Sequence, residues 1–105
     1  MVFDAKLEGV LQGLARSLKS HYKSRFGELI LLEIQNPDLL ELVLVLEGEV
    51  NQFREILRVE PSARLASLEA GVEIAVLPVC RASFDAAFEP ELWEAKFTAR
   101  EIKVV

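Results

Sequence analysis

A chain of 105 residues is long enough for one domain with a single hydrophobic core, and we take residues 1–105 as that domain. Its 51% hydrophobic and 28% charged residues are typical of a globular chain, and its net charge of -5 argues against nucleic acid or an anionic membrane as the main partner. One cysteine and one histidine exclude an internal disulfide, a thiolate zinc cluster and a histidine-rich metal site. No stretch resembles a membrane span or a signal peptide, which favours the cytoplasm.

The first half of the chain predicts a helix followed by a two-stranded hairpin. Apolar residues recur at helical spacing over Phe3–Phe26, and Gly27 suits the left-handed residue that ends a helix. Two apolar segments follow, Glu28–Ile34 and Leu39–Leu46. The turn-forming residues between them are too few for a helical crossover, so the two strands are predicted to pair antiparallel.

A second helix and a third strand are predicted next. Asn51 offers a side-chain cap for the helix, and Pro61 is expected to kink or break it before Gly71. The segment Val72–Val79 alternates in the manner of a strand. Because a helix precedes it, this strand is predicted to run parallel to the second strand. The apolar positions that define the helix are Phe53, Ile56, Leu57, Ala63, Leu65, Ala66 and Leu68.

The C-terminal part is predicted to be mainly helical. Ser83–Phe88 favours a short helical turn, and Pro90 can open a last helix through Trp93 and Phe97. The end of the chain, Ile102–Val105, is predicted to be a short edge strand. This order of elements predicts an α/β (α+β) fold in which helices cover a small mixed sheet of three to four strands.

The second strand is apolar on both of its faces. Leu40, Leu42 and Leu44 alternate with Val43 and Val45, so the strand needs cover on both sides. The first two helices are expected to cover one face, which leaves the C-terminal segment or a partner chain for the other. An uncovered apolar face is an association surface, and we therefore predict a homo-oligomer or a complex with another protein.

Three segments of the chain carry a resemblance to a known family. They are Tyr22–Glu28, Leu42–Val50, and Gly71–Val79 followed by Ser83-Phe84. In this order and spacing they resemble the minimal nucleotidyltransferases, the small prokaryotic members of the DNA polymerase beta-like superfamily. The resemblance covers most of the chain and implies a nucleotidyltransferase-like fold. It also implies a partner type, since small members of the family commonly pair with a helical protein in toxin–antitoxin-like modules.

The catalytic motifs of that family are altered in this sequence. The family ends its first strand in Gly-Ser, which holds the triphosphate, and opens its second with Asp-x-Asp, which holds divalent cations. Here Ile34 runs directly into the turn, and the Asp-x-Asp window holds Leu39-Leu40-Glu41, with Asp38 one residue out of step. Two-metal phosphoryl chemistry needs both parts. Asp38 and Glu41 are therefore weak catalytic candidates, and we predict a catalytically degenerate domain that acts by protein association, as an antitoxin-like or regulatory subunit.

An alternative function depends on three glutamates. Glu33, Glu41 and Glu73 each lie near one end of a predicted strand, and the predicted pairing brings those ends to one edge of the sheet. Three converging carboxylates would form a Mg²⁺ or Mn²⁺ site, and the chain would then be an active nucleotidyltransferase or a metal- or nucleotide-binding protein. The favoured interpretation is that these are solvated strand ends, so no cofactor is expected.

The remaining reactive and aromatic side chains are interpreted as structural. Cys80 has Arg81 beside it, but no histidine follows or precedes nearby, so a buried or half-buried structural thiol is favoured over a nucleophile. His21 is expected at the surface of the first helix. The aromatic residues of the C-terminal part are expected to pack on the sheet, with some serving as interface anchors.

Overall fold

The computed structural model describes residues 5–87, 93–98 and 102–104. The helices are α1 (Ala5–Tyr22), α2 (Gln52–Ala70) and α3 (Arg81–Ala87), with a 3₁₀ turn at Lys23–Arg25. The strands are β1 (Phe26–Leu32), β2 (Leu39–Leu46), β3 (Glu73–Cys80), β4 (Trp93–Thr98) and β5 (Ile102–Val104). In the described parts of the chain, no helix is long and apolar enough to cross a membrane.

The sheet has the strand order β3-β2-β1-β4-β5. β2 and β3 are parallel, and the other neighbouring pairs are antiparallel. The predicted α/β fold with a mixed sheet is therefore confirmed, together with the hairpin and the parallel third strand. The sheet has five strands in the described part of the chain rather than the predicted three to four.

The additional strand is β4, which was predicted to be a helix. Trp93, Ala95 and Phe97 alternate with polar residues, and this period of two is the strand pattern. Trp93 and Phe97 are also four residues apart, which suggested the helix. Pairing decides between the two, since β1 offers an open edge to which β4 hydrogen-bonds antiparallel. Pro90, the predicted start of that helix, lies outside the described residues.

The main core lies between the sheet and helices α1 and α2. It contains leucines from α1, from β1 and from every second position of β2. Each fully buried leucine contributes about 1.5–3 kcal/mol relative to its exposed state. The central members of this core are Leu11, Leu14, Leu18, Leu29, Leu31, Leu40, Leu42, Leu44 and Leu46.

The second face of the sheet is covered by the chain itself around its centre. Ile30, Val43 and Val45 are fully buried and form a smaller cluster with Val79 and with Phe84 of α3. Of the two predicted ways to cover this face, the C-terminal part of the chain or a partner, the first therefore applies to these residues. At this part of β2 the sheet face is therefore closed and offers no apolar surface to a partner.

Helix α2 runs unbroken through Pro61. Asn51 caps it as predicted, since its side chain accepts a hydrogen bond from the Arg54 backbone N–H at 3.2 Å, and Gly71 ends it with φ 74°. Pro61 is exposed, so water can satisfy the Leu57 carbonyl that loses its helical donor. The predicted break at Pro61 therefore does not occur.

Gly27 has a different role from the predicted helix stop. It lies inside β1, and the left-handed residue after α1 is Lys23, with φ 54°. A Cβ atom on Gly27 would lie 2.8 Å from the Val45 carbonyl oxygen, 2.7 Å from a Glu47 carboxylate oxygen and 2.9 Å from Arg81 Nη2. Glycine is required at this position because neighbouring groups approach the backbone closely.

Candidate functional site

The link between β1 and β2 consists of residues 33–38 and ends in a hydrogen-bonded turn. The Leu39 N–H donates to the Asn36 carbonyl oxygen at 3.0 Å, and the Asp38 N–H donates to the Asn36 side-chain oxygen at 3.0 Å. The carbonyl oxygen of Asp38 accepts a hydrogen bond from the Glu73 N–H at 3.0 Å. The backbone of Asp38 therefore joins the turn to the start of β3, while its side chain is exposed.

Two of the three predicted metal-site glutamates lie together beside this turn. Glu33 and Glu41 line one open pocket of about 230 Å³, with Gln35, Asn36 and Leu39. Both carboxylates are exposed, so water screens them from each other. This pocket is the part of the structure that comes nearest to the predicted carboxylate site.

Glu73 lies in a different depression. It lines a surface depression of about 570 Å³ together with Asp38 and residues from the end of α2. Across the described residues, no three His, Cys, Asp or Glu side chains are grouped so as to hold a metal ion. The structure thus brings Glu33 and Glu41 together and places Glu73 with Asp38.

The outward face of α2 carries a stripe of large apolar side chains. The exposed fractions are 74% for Phe53, 62% for Leu57, 59% for Leu65 and 76% for Leu68. With the exposed Pro61 they follow one another at spacings of three and four residues, so they lie on one side of the helix. We call these five residues the α2 stripe. Large apolar side chains that are exposed side by side mark an interaction surface.

The sequence predicted the helix but not its orientation. The buried residues of α2 are Glu55, Val59, Ala63 and Ala66, which also recur at spacings of four and three. The helix therefore has two sets of apolar residues at helical spacing, and the set with the smaller side chains faces the core. The signal that could have identified the inner face is Ala63 and Ala66, since small residues allow α2 to lie close to α1 and the sheet.

The buried charge of Glu55 was not singled out by the sequence. Only 3% of this residue is exposed, and its carboxylate accepts a hydrogen bond from the Tyr22 hydroxyl at 2.9 Å. Arg25 Nη1 lies 3.7 Å and Arg58 Nη1 3.4 Å from its two oxygens. Arg25 also donates to the Glu49 carbonyl oxygen at 2.7 Å. This network joins the end of α1 to α2 and to the link before α2.

Tyr22 is the only tyrosine of the chain, so its ionisation can be followed by itself. Burial, and then the hydrogen bond and negative charge of Glu55, raise its pKa from 10.0 to about 12. The near-ultraviolet tyrosinate band is expected to rise near pH 12 in the folded chain and near pH 10 in urea. Because the pKa of Tyr22 is raised in the folded chain, the neutral hydroxyl stabilises the fold. This contribution to the free energy of unfolding is complete below pH 10 and is lost as the pH rises through 12. A folded-state midpoint near pH 10 would contradict the contact with Glu55.

A second charged cluster lies at the same end of the hairpin, near the start of β1 and the end of β2. Arg81 donates to Glu28 at 3.1 Å and to Glu47 at 2.9 Å. The hydrogen bond to the Glu47 carboxylate is the main reason that the pKa of Arg81 is raised. Through these two hydrogen bonds Arg81 holds the start of α3 against the strands.

Cys80 is half-buried, and the neighbour that lowers the pKa of its thiol is Ser83 and not the adjacent Arg81. Its sulfur lies 3.1 Å from the Ser83 hydroxyl, and this hydrogen bond lowers the pKa of the thiol. His21 is exposed and packs edge-on against the Tyr22 ring at 4.9 Å between centroids. Neither residue lines the pocket beside the hairpin turn or the depression at Glu73.

The outer edge of β3 is protected against strand addition at two of its positions. Ser67 of α2 accepts a hydrogen bond from the Ile74 N–H at 2.9 Å, which satisfies a donor on that edge. Further along, Pro78 has no N–H, and its carbonyl oxygen accepts from Gln52 at 3.1 Å. A strand whose edge groups are already bonded is a poor template for another chain.

Comparison of the chain with protein-family models, with curated proteins and with solved structures finds no match.

Proposed function

We propose that this chain functions by protein association through the α2 stripe and not by nucleotidyl transfer. The observation that carries the proposal is the exposure of four large apolar side chains on one side of α2, Phe53, Leu57, Leu65 and Leu68. Complete burial of each would contribute about 1.5–3 kcal/mol. The sum is large enough to offset part of the entropy lost when two proteins associate.

The proposal includes a degenerate catalytic site. If the chain has the nucleotidyltransferase fold that it resembles, Leu39 and Glu41 occupy the positions of the two metal-binding aspartates. A leucine cannot ligate Mg²⁺ or Mn²⁺, and the turn lacks the Gly-Ser that holds the triphosphate in that family. In that case the chain acts in the cytoplasm as a regulatory or antitoxin-like subunit.

A photo-crosslinking experiment in the source cells tests the association. A photoreactive phenylalanine analogue is placed singly at Leu57 and at Leu68, and at the exposed Lys19 of α1 as the matched control. The stripe positions are expected to give a discrete crosslinked species that the Lys19 position does not give. The same yield from Lys19, or no adduct from either stripe position, would contradict the proposal.

A second candidate function is favoured by the pocket beside the hairpin turn. Glu33 and Glu41 lie there with the side chains of Gln35 and Asn36, which supplies oxygen ligands for a hard cation. Calorimetric titration with Mn²⁺ is expected to give binding that Glu41→Gln weakens and Glu8→Gln leaves unchanged. The absence of heat at millimolar Mn²⁺ would exclude this candidate.

A further inference from the structure

We infer that the partner of the α2 stripe is a second copy of this chain, and that the two α2 helices pack antiparallel across a two-fold axis near Pro61. This inference rests on the proposed function, because it uses the same surface. It adds the identity of the partner, the relative direction of the helices and their register.

The spacing of the α2 stripe is nearly symmetrical about Pro61. Leu57 lies four residues before Pro61 and Leu65 four residues after it, while Phe53 lies eight before and Leu68 seven after. A two-fold interface uses the same patch on both copies, so the patch must be self-complementary. With the axis at Pro61, Leu57 faces Leu65 of the second copy, and Phe53 comes within one residue of Leu68 of the second copy. Every large apolar residue of the stripe then meets another.

The charges beside the stripe select the antiparallel direction. Arg54 lies seven residues before Pro61 and Glu69 eight after it, so the same axis brings Arg54 close to Glu69 of the second copy, twice in each dimer. Both residues are exposed, and within the described chain neither side chain has a hydrogen bond or ion pair. A parallel arrangement would instead place Arg54 beside Arg54, which is repulsive.

The other charged residues of α2 do not oppose this arrangement. Arg58 is paired with the buried Glu55 at 3.4 Å, and Arg64 is paired with Glu60 one turn away. Their charges are compensated within one copy, so the dimer does not have to supply partners for them. The two charged residues of this helix whose side chains have no partner within the described chain, Arg54 and Glu69, are those that the symmetry brings together.

The protected edge of β3 disfavours strand pairing between copies at that edge, which lies beside α2. The Ile74 N–H is bonded to Ser67, and Pro78 offers no donor. Helix α2 has 19 residues, which corresponds to a length of about 28 Å. Two such helices can stay in contact over most of this length at a shallow crossing angle of about 20°, the angle at which three-residue ridges of one helix pack into four-residue grooves of the other.

Charge reversal tests the proposed register on the full chain. Sedimentation velocity is expected to show a dimer for the unmodified chain. Arg54→Glu and Glu69→Arg are each expected to weaken the dimer about tenfold or more, since each places like charges together twice. The double variant is expected to recover the original affinity. An equimolar mixture of the two single variants is expected to form a heterodimer, because both contacts between positions 54 and 69 then join opposite charges.

Control measurements separate the inference from loss of folding and from the proposed function. Arg16→Glu, at an exposed position on α1, is expected to leave the dimer unchanged, and circular dichroism should be the same for all variants. A monomeric chain at every concentration overturns the inference, whereas a discrete crosslink from Leu57 to a different protein would still support the proposed function. A dimer whose affinity is unchanged by Arg54→Glu, by Glu69→Arg and by Leu57→Glu also overturns the inference. If, in addition, no crosslink forms from the α2 stripe, the proposed function is overturned as well.

Discussion

Replacement of Glu55 by alanine is expected to lower the free energy of unfolding by about 3 kcal/mol. Glu55 is 3% exposed and its carboxylate accepts the Tyr22 hydroxyl hydrogen bond, so its removal leaves a buried donor without an acceptor. Arg25 and Arg58 lose their common partner as well, although both are partly exposed and can be hydrated. Urea denaturation at a fixed chain concentration, monitored by circular dichroism, measures the change.

Glu60→Ala is the matched control, since Glu60 is an exposed glutamate on the same helix. Its loss should change the free energy of unfolding by less than about 0.5 kcal/mol. The combination of Glu55→Ala with Tyr22→Phe should cost less than the sum of the two single changes, because the second change removes the unsatisfied hydroxyl. Equal effects of Glu55→Ala and Glu60→Ala would show that the network contributes no stability.

Replacement of Gly27 by alanine is expected to cost about 1–3 kcal/mol. The new Cβ would lie 2.8 Å from the Val45 carbonyl oxygen, which is backbone inside the sheet and cannot move away without disturbing β2. It would also displace Glu47 and Arg81 and weaken their ion pair of 2.9 Å. The thermal or urea unfolding midpoint measures this loss.

Gly9→Ala provides a control of opposite sign. Gly9 lies inside α1, and a Cβ atom there would have no neighbour within 4 Å. Alanine has the higher helix propensity, so this variant is expected to gain up to about 1 kcal/mol. If both variants changed stability in the same direction, the close approach at Gly27 would not be what requires glycine.

The elements that sequence reasoning predicted are those with one dominant pattern. Leu39–Leu46 is apolar at nearly every position and is followed by Gly48, so its limits as a strand agree with the structure. Cap chemistry likewise placed the start of α2 at Asn51 and its end at Gly71. In these places local propensity, periodicity and tertiary packing favour the same structure.

The features that were missed are those for which two patterns compete or the decision is not local. Trp93 and Phe97 fit a helix or a strand, and only pairing with β1 decides. In α2 two apolar stripes exist, and the shape of the neighbouring elements determines which of them is buried. Glu55 is buried because Tyr22, Arg25 and Arg58 converge on it. Separate regions of the chain supply these partners, so spacing along the sequence does not reveal them.

The position of β4 beside β1 has a consequence for the synthesis of the protein on the ribosome. β1 ends at Leu32 and its partner begins at Trp93, so one edge of this strand has no partner until the intervening residues are made. For about 60 residues, at a rate of about 5–20 residues per second, that interval lasts about 3–12 s. During this interval, the backbone of Leu29, Ile30 and Leu31 lies at an open strand edge of the nascent chain. Slower translation between the two strands would lengthen the time for which this edge of β1 is open.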